Sequence, residues 1–260
     1  MPFQILTDIL LHNFTKNVGE SPQEQVKHLK NKELPAGYFD FYKSVSSVYS
    51  SKIEGENIDY DSYFKHKFLN ISFKPDYTQK TDDLFTAYEF MEKHPLNFSN
   101  VCTAHSILSR NLLPENQQGV IRTNPMYVIN SDDRIEYVAA KPEIVKTELE
   151  KLFSDIGLLL KVSLNPFEIF YYAAFSHLVF VKIHPFQDGN GRAARLLEKW
   201  FLWEKLGVDA MAVQSEKNYF RKIREYYQNL RRLGLEYETL DYSKSLDFLL
   251  MTVRGMYDDD

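Results

Sequence analysis

The stretch "NPFEIFYYAAFSHLVFVKI", residues 165–183, constrains the fold more than any other part of the chain. It is apolar almost all the way round, so a helix made from it must be enclosed on every side by other elements. Its ends are marked. Asn165 suits an N-cap and Pro166 the first helical position, where a missing N–H costs nothing. At the far end His184-Pro185 stops the helix, because proline disfavours helical geometry in the residue before it. Such a centre needs a wrapping of helices, and most other segments have helical period. "KPEIVKTELEKLFSDIGLLL" has Pro142 near its start. "TDDLFTAYEFMEKH" offers Thr81 as N-cap, acids in its first turn and Pro95 beyond its end. The opening "MPFQILTDILLHNF" reads as an amphipathic helix through Phe3, Ile5, Leu6, Ile9 and Leu10. Two further helices are expected in "SEKNYFRKIREYYQNLRRL" and "DYSKSLDFLLMTVRGM".

One segment breaks this pattern. "MYVINSDDRIEYVAA" has two short β-prone runs around a Ser-Asp-Asp turn, the signature of a hairpin. A lone hairpin cannot be the core of a sheet. It is either a flap over a site or a plain surface feature. The chain has 260 residues, 44% hydrophobic, with ten glycines and ten prolines. That is enough to bury a sizeable core, and it favours an all-α domain over a turn-rich β-sandwich. The net charge is -5 and no Lys/Arg block occurs, which argues against a nucleic-acid or anionic-membrane surface. The single cysteine, Cys102, cannot form an internal disulfide and fits a reducing cytosol. The N-terminus lacks the basic start and cleavage site of a signal peptide, and no apolar run is long enough to span a bilayer. A soluble, cytoplasmic protein is expected.

The chemistry concentrates in "HPFQDGNGRAAR", residues 184–195. Asp188-Gly189-Asn190-Gly191 forms a tight loop of residues that tolerate left-handed backbone. A helix follows, so its free N–H groups lie beside a Gly-rich turn and make an anion site. Arg192 and Arg195 fall on one face of that helix near its N-terminus, where cations oppose the dipole. Phosphates would offset that cost through charge-assisted hydrogen bonds. Asp188 would repel a phosphate unless a cation bridges the two, and Mg²⁺ prefers this mixture of carboxylate, water and phosphate oxygens. His184 at the loop mouth suits a general base. Taken singly, His184 also fits a plain helix-loop-helix connector. The whole set points to transfer from a nucleotide to a hydroxyl.

"HPFQDGNGRAAR" resembles the signature of the Fic-domain family, H-x-F-x-[DE]-G-N-G-R-x-x-R, at every specified position. The resemblance continues through "FSHLVFVKI", through "GVIRTNP" and "IEYVAAKP", and to a late helix with "REYY", over roughly residues 80 to 250. It implies an all-α Fic fold: a helical bundle around a central buried helix with a small β-hairpin flap. It implies a protein adenylyltransferase that moves AMP from ATP to a Tyr, Ser or Thr hydroxyl. His184 would take the hydroxyl proton and Phe186 would anchor the loop. Asp188 would hold Mg²⁺ or Mn²⁺. The amides of Gly189, Asn190 and Gly191 would bind phosphate oxygens, with the Asn190 side chain on the α-phosphate. Arg192 and Arg195 would take the β- and γ-phosphates. A lysine at position 191 would mark the kinase-like branch of the family; Gly191 favours AMP transfer. The flap, Met126 to Tyr137, would clamp a protein target by strand addition, and Arg134, Ile135, Glu136 and Tyr137 would border the nucleotide. Tyr226 and Tyr227 are candidates for the adenine pocket or members of a core stripe. Where the family often has consecutive prolines after the flap, this chain has Ala139-Ala140-Lys141-Pro142.

Upstream, "SSVYSSKIEGENI" contains Ser50-x-x-x-Glu54-Gly55, which resembles the family's inhibitory motif [S/T]-x-x-x-E-[G/N]. Its position before the core implies class II, with Glu54 pairing Arg195 and Ser50 bonding Glu54. The same residues also describe a helix end with Gly55 as C-cap. Residues 1–95 are expected to form a helical region carrying this motif, and residues 96–260 the Fic core with its C-terminal helices, in one compact unit. Expected partners are ATP, a protein target on the flap and the enzyme's own surface as a further acceptor, with no nucleic acid and no membrane. Rival readings are removal of AMP or transfer of another phosphate-bearing group at the same site, and a non-catalytic ATP-sensing regulator. An intact His184 argues against the last, because sensing needs no base.

Overall fold

A computed structural model describes residues 3–30, 38–129 and 135–256. Among these residues twelve α-helices surround one another and a single two-stranded sheet lies at the side. The helices are α1 (Leu11–Val18), α2 (Pro22–Lys30), α3 (Tyr38–Ile53), α4 (Tyr60–Leu69), α5 (Pro75–Lys93) and α6 (Phe98–Leu108). After the hairpin come α7 (Pro142–Lys161), α8 (Pro166–Ile183), α9 (Asn190–Leu206), α10 (Ser215–Arg221), α11 (Ile223–Arg232) and α12 (Leu246–Arg254). The fold is all-α with a small hairpin, as the sequence predicts.

α8 is the axis. Every residue from Ile169 to Ile183 is buried. Its start is a reciprocal capping box: Asn165 Oδ1 accepts the Glu168 N–H at 3.1 Å and Glu168 Oε2 accepts the Asn165 N–H at 2.7 Å. Its end is His184, whose N–H reaches back to the Phe180 carbonyl at 3.0 Å. α9, α12, α7 and α1 pack against it. One hydrophobic core runs from Leu6 to Met256. A smaller cluster of Val48, Ile58, Tyr63 and Phe85 fastens α3 and the segment through α4 to α5.

Four local expectations are corrected. Helix α1 begins at Leu11, not near Phe3, because the amides of Gln4, Ile5 and Leu6 all donate to the Asp155 carboxylate at 2.8–3.0 Å. A buried carboxylate on α7 thus competes with the helix for those N–H groups. Thr81 is no N-cap: α5 starts six residues earlier at Pro75, and Thr81 is interior, its hydroxyl on Ser51 Oγ at 3.2 Å. The expected helix after residue 215 is two, α10 and α11, with Lys222 between them at φ -110 and ψ 38. The last helix starts at Leu246, after a separate turn at residues 242–244.

The hairpin pairs β1 (Tyr127–Ile129) antiparallel with β2 (Ile135–Val138), Val128 lying opposite Tyr137. Its expected Ser-Asp-Asp tip lies outside the described residues. β2 is tied down from behind. Val138 N–H donates to the Leu235 carbonyl at 2.7 Å, and the Arg231 guanidinium grips Glu136, its Nε at 2.7 Å. Among the described residues no helix is long and apolar enough to cross a membrane.

Candidate active site

The loop between α8 and α9 is built by its own side chains. His184 sits in the left-handed region at φ 54, a conformation that costs a non-glycine residue roughly 1–2 kcal/mol. Arg122 holds it there. This buried side chain donates from Nε to the His184 carbonyl at 2.6 Å and from Nη2 to the Ile183 carbonyl at 3.2 Å. Nη1 and Nη2 also reach the Asn124 and Ala140 carbonyls at 2.6 and 2.5 Å. A cation on the carbonyl end of a helix is a favourable placement, and Arg122 thus welds α8 to the segment entering the flap. Nothing in the sequence around Arg122, in "GVIRTNP", marks this role.

Phe186 is fully buried and stacks on His105, ring centroids 3.6 Å apart. His105 is a strut: Nε2 lies 2.8 Å from the Asp188 carbonyl and Nδ1 accepts the Gly119 N–H at 2.9 Å. Asn190 closes the turn. Its Oδ1 accepts the Phe186 N–H and its Nδ2 donates to the Phe186 carbonyl, both at 2.8 Å. The Asn190 side chain is therefore engaged within the loop rather than directed at a phosphate. Gly189 adopts φ 75, and a Cβ there would press on Leu108 and His105.

At the start of α9 the two arginines are almost wholly buried, Arg192 at 3% and Arg195 at 1% exposure. Arg195 donates from Nε to Ser50 Oγ at 2.8 Å and from Nη2 to the Ser50 carbonyl at 3.1 Å and Glu54 Oε1 at 2.6 Å. Ser50 therefore bonds the arginine, where the sequence suggests it would bond Glu54. Arg192 Nη2 lies 3.1 Å from Glu56 Oε1, and Lys80 meets the same oxygen at 2.7 Å. Glu56 is missed by the sequence reading, although the alternation Glu54-Gly55-Glu56 is its signal.

The end of α3 explains how both acids arrive. Gly55 N–H donates to the Lys52 carbonyl and Glu56 N–H to the Ser51 carbonyl, both at 3.1 Å, with Gly55 at φ 86. That double bond pattern is a Schellman turn. The helix-end reading of Gly55 and the arginine-pairing reading of Glu54 are one device: the turn aims two carboxylates at two arginines. Burial opposes ionisation of Glu54, but the Arg195 and Arg192 charges outweigh it and hold its pKa below the usual value. Two buried donors, Arg195 Nη1 and Arg192 Nε, have no hydrogen-bond partner among the described residues. Gly191 borders this spot. A Cβ there would run into the Glu54 carboxylate and the Arg195 guanidinium.

His184 is half-buried. Burial pushes its pKa down to about 4, the Val181 carbonyl and Glu54 pulling upward and Arg122 downward. The imidazole is thus neutral throughout the neutral range and able to accept a proton. If His184 carries a reaction, kcat/KM should be flat from about pH 8 down to about 5 and fall on an acid limb near pH 4. A limb near 6.5 would show that another group titrates.

A cavity of about 690 Å³ opens beside Glu54, the partner of Arg195. Ile53, Glu54 and Gly55 line one wall, Val128, Ile129 and Glu136 of the hairpin a second, and Tyr227 and Gln228 of α11 a third. The expected nucleotide contacts divide here. Glu136 and Tyr227 face the cavity. Ile135 is exposed at 47% on the hairpin surface. Tyr137 and Tyr226 are buried and do not line it; the Tyr226 hydroxyl lies 3.0 Å from His177 Nε2 in the core. Arg134 lies outside the described residues.

Helix α8, the His184–Arg195 loop and the hairpin fall in the region, residues 86–202, that matches the Fic/DOC family. A stretch of 106 residues is 31% identical to protein adenylyltransferase fic-1 of Caenorhabditis briggsae, covering 41% of this chain and 19% of that protein. The matched part thus spans about a fifth of this curated relative. In fold, 99% of the chain matches 74% of a Fic family protein from Desulfovibrio desulfuricans at a TM-score of 0.75 and 18% identity. It also matches, over 95% of its length, 92% of a Fic domain containing signaling protein from Bacteroides thetaiotaomicron, at a TM-score of 0.62 and 20% identity.

Proposed function

We propose that the chain is a protein adenylyltransferase of the class II arrangement, restrained by Glu54. One observation carries this reading. Two buried guanidinium groups with unpartnered donors stand at the N-terminus of a 17-residue helix, and a carboxylate of the same chain is seated on one of them. A helix N-terminus with two arginines is built for a polyphosphate. Glu54 then occupies a phosphate position.

In this reading His184 Nε2 removes the proton from a Tyr, Ser or Thr hydroxyl. The oxygen attacks the α-phosphorus of ATP, a P–O ester bond forms, and the bond to pyrophosphate breaks. Arg192 and Arg195 hold the β- and γ-phosphates, and the amides of Asn190 and Gly191 the remaining oxygens; the Gly189 N–H, expected to join them, donates to Asp188 Oδ1 at 2.6 Å instead. The base of the nucleotide lies in the cavity against Tyr227. With Glu54 in place, the γ-phosphate is turned away from Arg195 and in-line attack is misaligned. The target lies on the outer edge of β1, where Tyr127 and Ile129 are 55% and 49% exposed. A cytoplasmic setting is part of this reading; a single cysteine with no disulfide and the use of ATP as donor support it.

Asp188 is an exposed carboxylate at the loop, and among the described residues no group of three or more His, Cys, Asp or Glu side chains forms a metal cage. One carboxylate suits Mg²⁺, or Mn²⁺, which takes most of its remaining ligands from water and phosphate oxygens. Such an ion would neutralise phosphate charge beside Asp188. Activity should disappear with chelator and return on adding Mg²⁺ or Mn²⁺; full activity in a metal-free preparation would refute the assignment of Asp188. The reading as a whole is tested by incubating the protein with labelled ATP, CTP, GTP and UTP in lysate and locating the adduct by mass spectrometry. A nucleoside monophosphate on a hydroxyl side chain supports it; a bare phosphate or no adduct opposes it.

A further inference from the structure

Helix α8 leaves one carbonyl open for a reason written in the sequence. The Val181 carbonyl should accept the N–H of residue 185, but residue 185 is proline and has none. Two groups fill the gap. The Tyr137 hydroxyl donates to it at 3.0 Å, and His184 Nδ1 lies 3.3 Å away. The same hydroxyl is 3.2 Å from His184 Nδ1. Because the hydroxyl proton is spent on Val181, its oxygen can only accept from the imidazole. With the proton on Nε2 instead, the Nδ1 lone pair would face the Val181 carbonyl lone pairs. Both contacts therefore demand Nδ1–H, which leaves the lone pair on Nε2.

We propose that Tyr137 is a positioning residue that selects the Nε2-basic tautomer of His184 and fixes the angle of its ring. The inference deepens the reading of His184 as the base and rests on it. It also corrects the expectation that Tyr137 borders the nucleotide: Tyr137 is 2% exposed and turned into the protein. The ring is held independently of its hydroxyl. Lys182 Nζ lies 4.0 Å from the ring centroid, and the ring meets that of His184 edge-on at 6.0 Å. Tyr137 sits on β2, so the strand that frames the target edge also sets the protonation of the base.

The test uses full-length protein with ¹⁵N-labelled histidine and NMR at neutral pH, without substrate. The wild type should show His184 protonated at Nδ1 and bare at Nε2. Tyr137→Phe keeps the ring and the Lys182 contact but leaves Nδ1–H only the longer Val181 contact at 3.3 Å, and should show a mixed population with Nε2–H. In the Glu54→Gly background, Tyr137→Phe should lower kcat by about 10-fold, a fraction of the roughly 10²-fold or greater loss expected on removing the base itself. KM for ATP should stay the same, because Tyr137 does not line the cavity. A wild-type His184 carrying its proton on Nε2 would overturn the proposal, as would a Tyr137→Phe protein with unchanged tautomer and unchanged kcat. If the tautomer shifts as stated while the Glu54→Gly protein transfers no AMP, Tyr137's role stands and the adenylyltransferase reading fails.

Discussion

The Glu54→Gly protein is expected to label targets, and itself, about 10-fold to 100-fold faster than wild type. That range corresponds to freeing a charge-assisted hydrogen bond of roughly 1.5–3 kcal/mol between Glu54 and Arg195. The substitution removes the one carboxylate seated on Arg195 at 2.6 Å and no group assigned to the reaction. Gly55 and the Schellman turn remain, so the end of α3 should keep its shape. Adding Arg195→Ala should abolish the gain, because the released arginine is then missing. Arg192 stays paired with Glu56 in the single variant, and neutralising Glu56 as well should raise labelling further. A folded Glu54→Gly protein no more active than wild type would reduce Glu54 to a helix-end residue. Loss of a measurable AMP-removing activity in that variant would favour the reverse reaction, with Glu54, which lines the cavity, orienting water.

His184→Ala should show the opposite extreme. Loss of a general base costs roughly 10²–10⁴ in rate, so labelling should vanish even in the Glu54→Gly background. ATP binding should survive, because the arginines and the α9 amides are untouched. The backbone should hold as well. Arg122 grips the carbonyl of residue 184 rather than its ring, and the main-chain N–H to Phe180 does not depend on the side chain. Labelling at the wild-type rate by this variant would remove His184 from the reaction.

The central helix was legible because its ends are chemical. Asn165-Pro166 can open a helix and His184-Pro185 cannot continue one, and the apolar residues between leave no solvent face. The spacing of Arg192 and Arg195 likewise fixes them to one face of α9. What was not legible depends on tertiary competition. Asp155 lies 150 residues from the amides it takes from the N-terminus, and nothing near Phe3 announces it. Thr81 has the chemistry of an N-cap, but Pro75 starts the helix first. On β2, Glu136 and Tyr137 alternate faces as strand residues must, yet both faces are covered. The sequence therefore marks neither as the one turned to the cavity. Tyr226 and Tyr227 pose the same problem on a helix, and the structure divides them between core and cavity. Glu56 went unassigned because its partner, Arg192, is reached only once the turn at Gly55 is formed.

The two ends of the triphosphate distinguish AMP transfer from phosphate transfer. Glu54→Gly protein is incubated with Mg²⁺ and ATP labelled on the α-phosphate or, separately, on the γ-phosphate, with His184→Ala in the same background as control. Adenylyl transfer through His184 requires α-label retained on protein, γ-label lost as pyrophosphate, and neither retained with the control. Retention of the γ-label, or α-label retained equally by the His184→Ala protein, would contradict it.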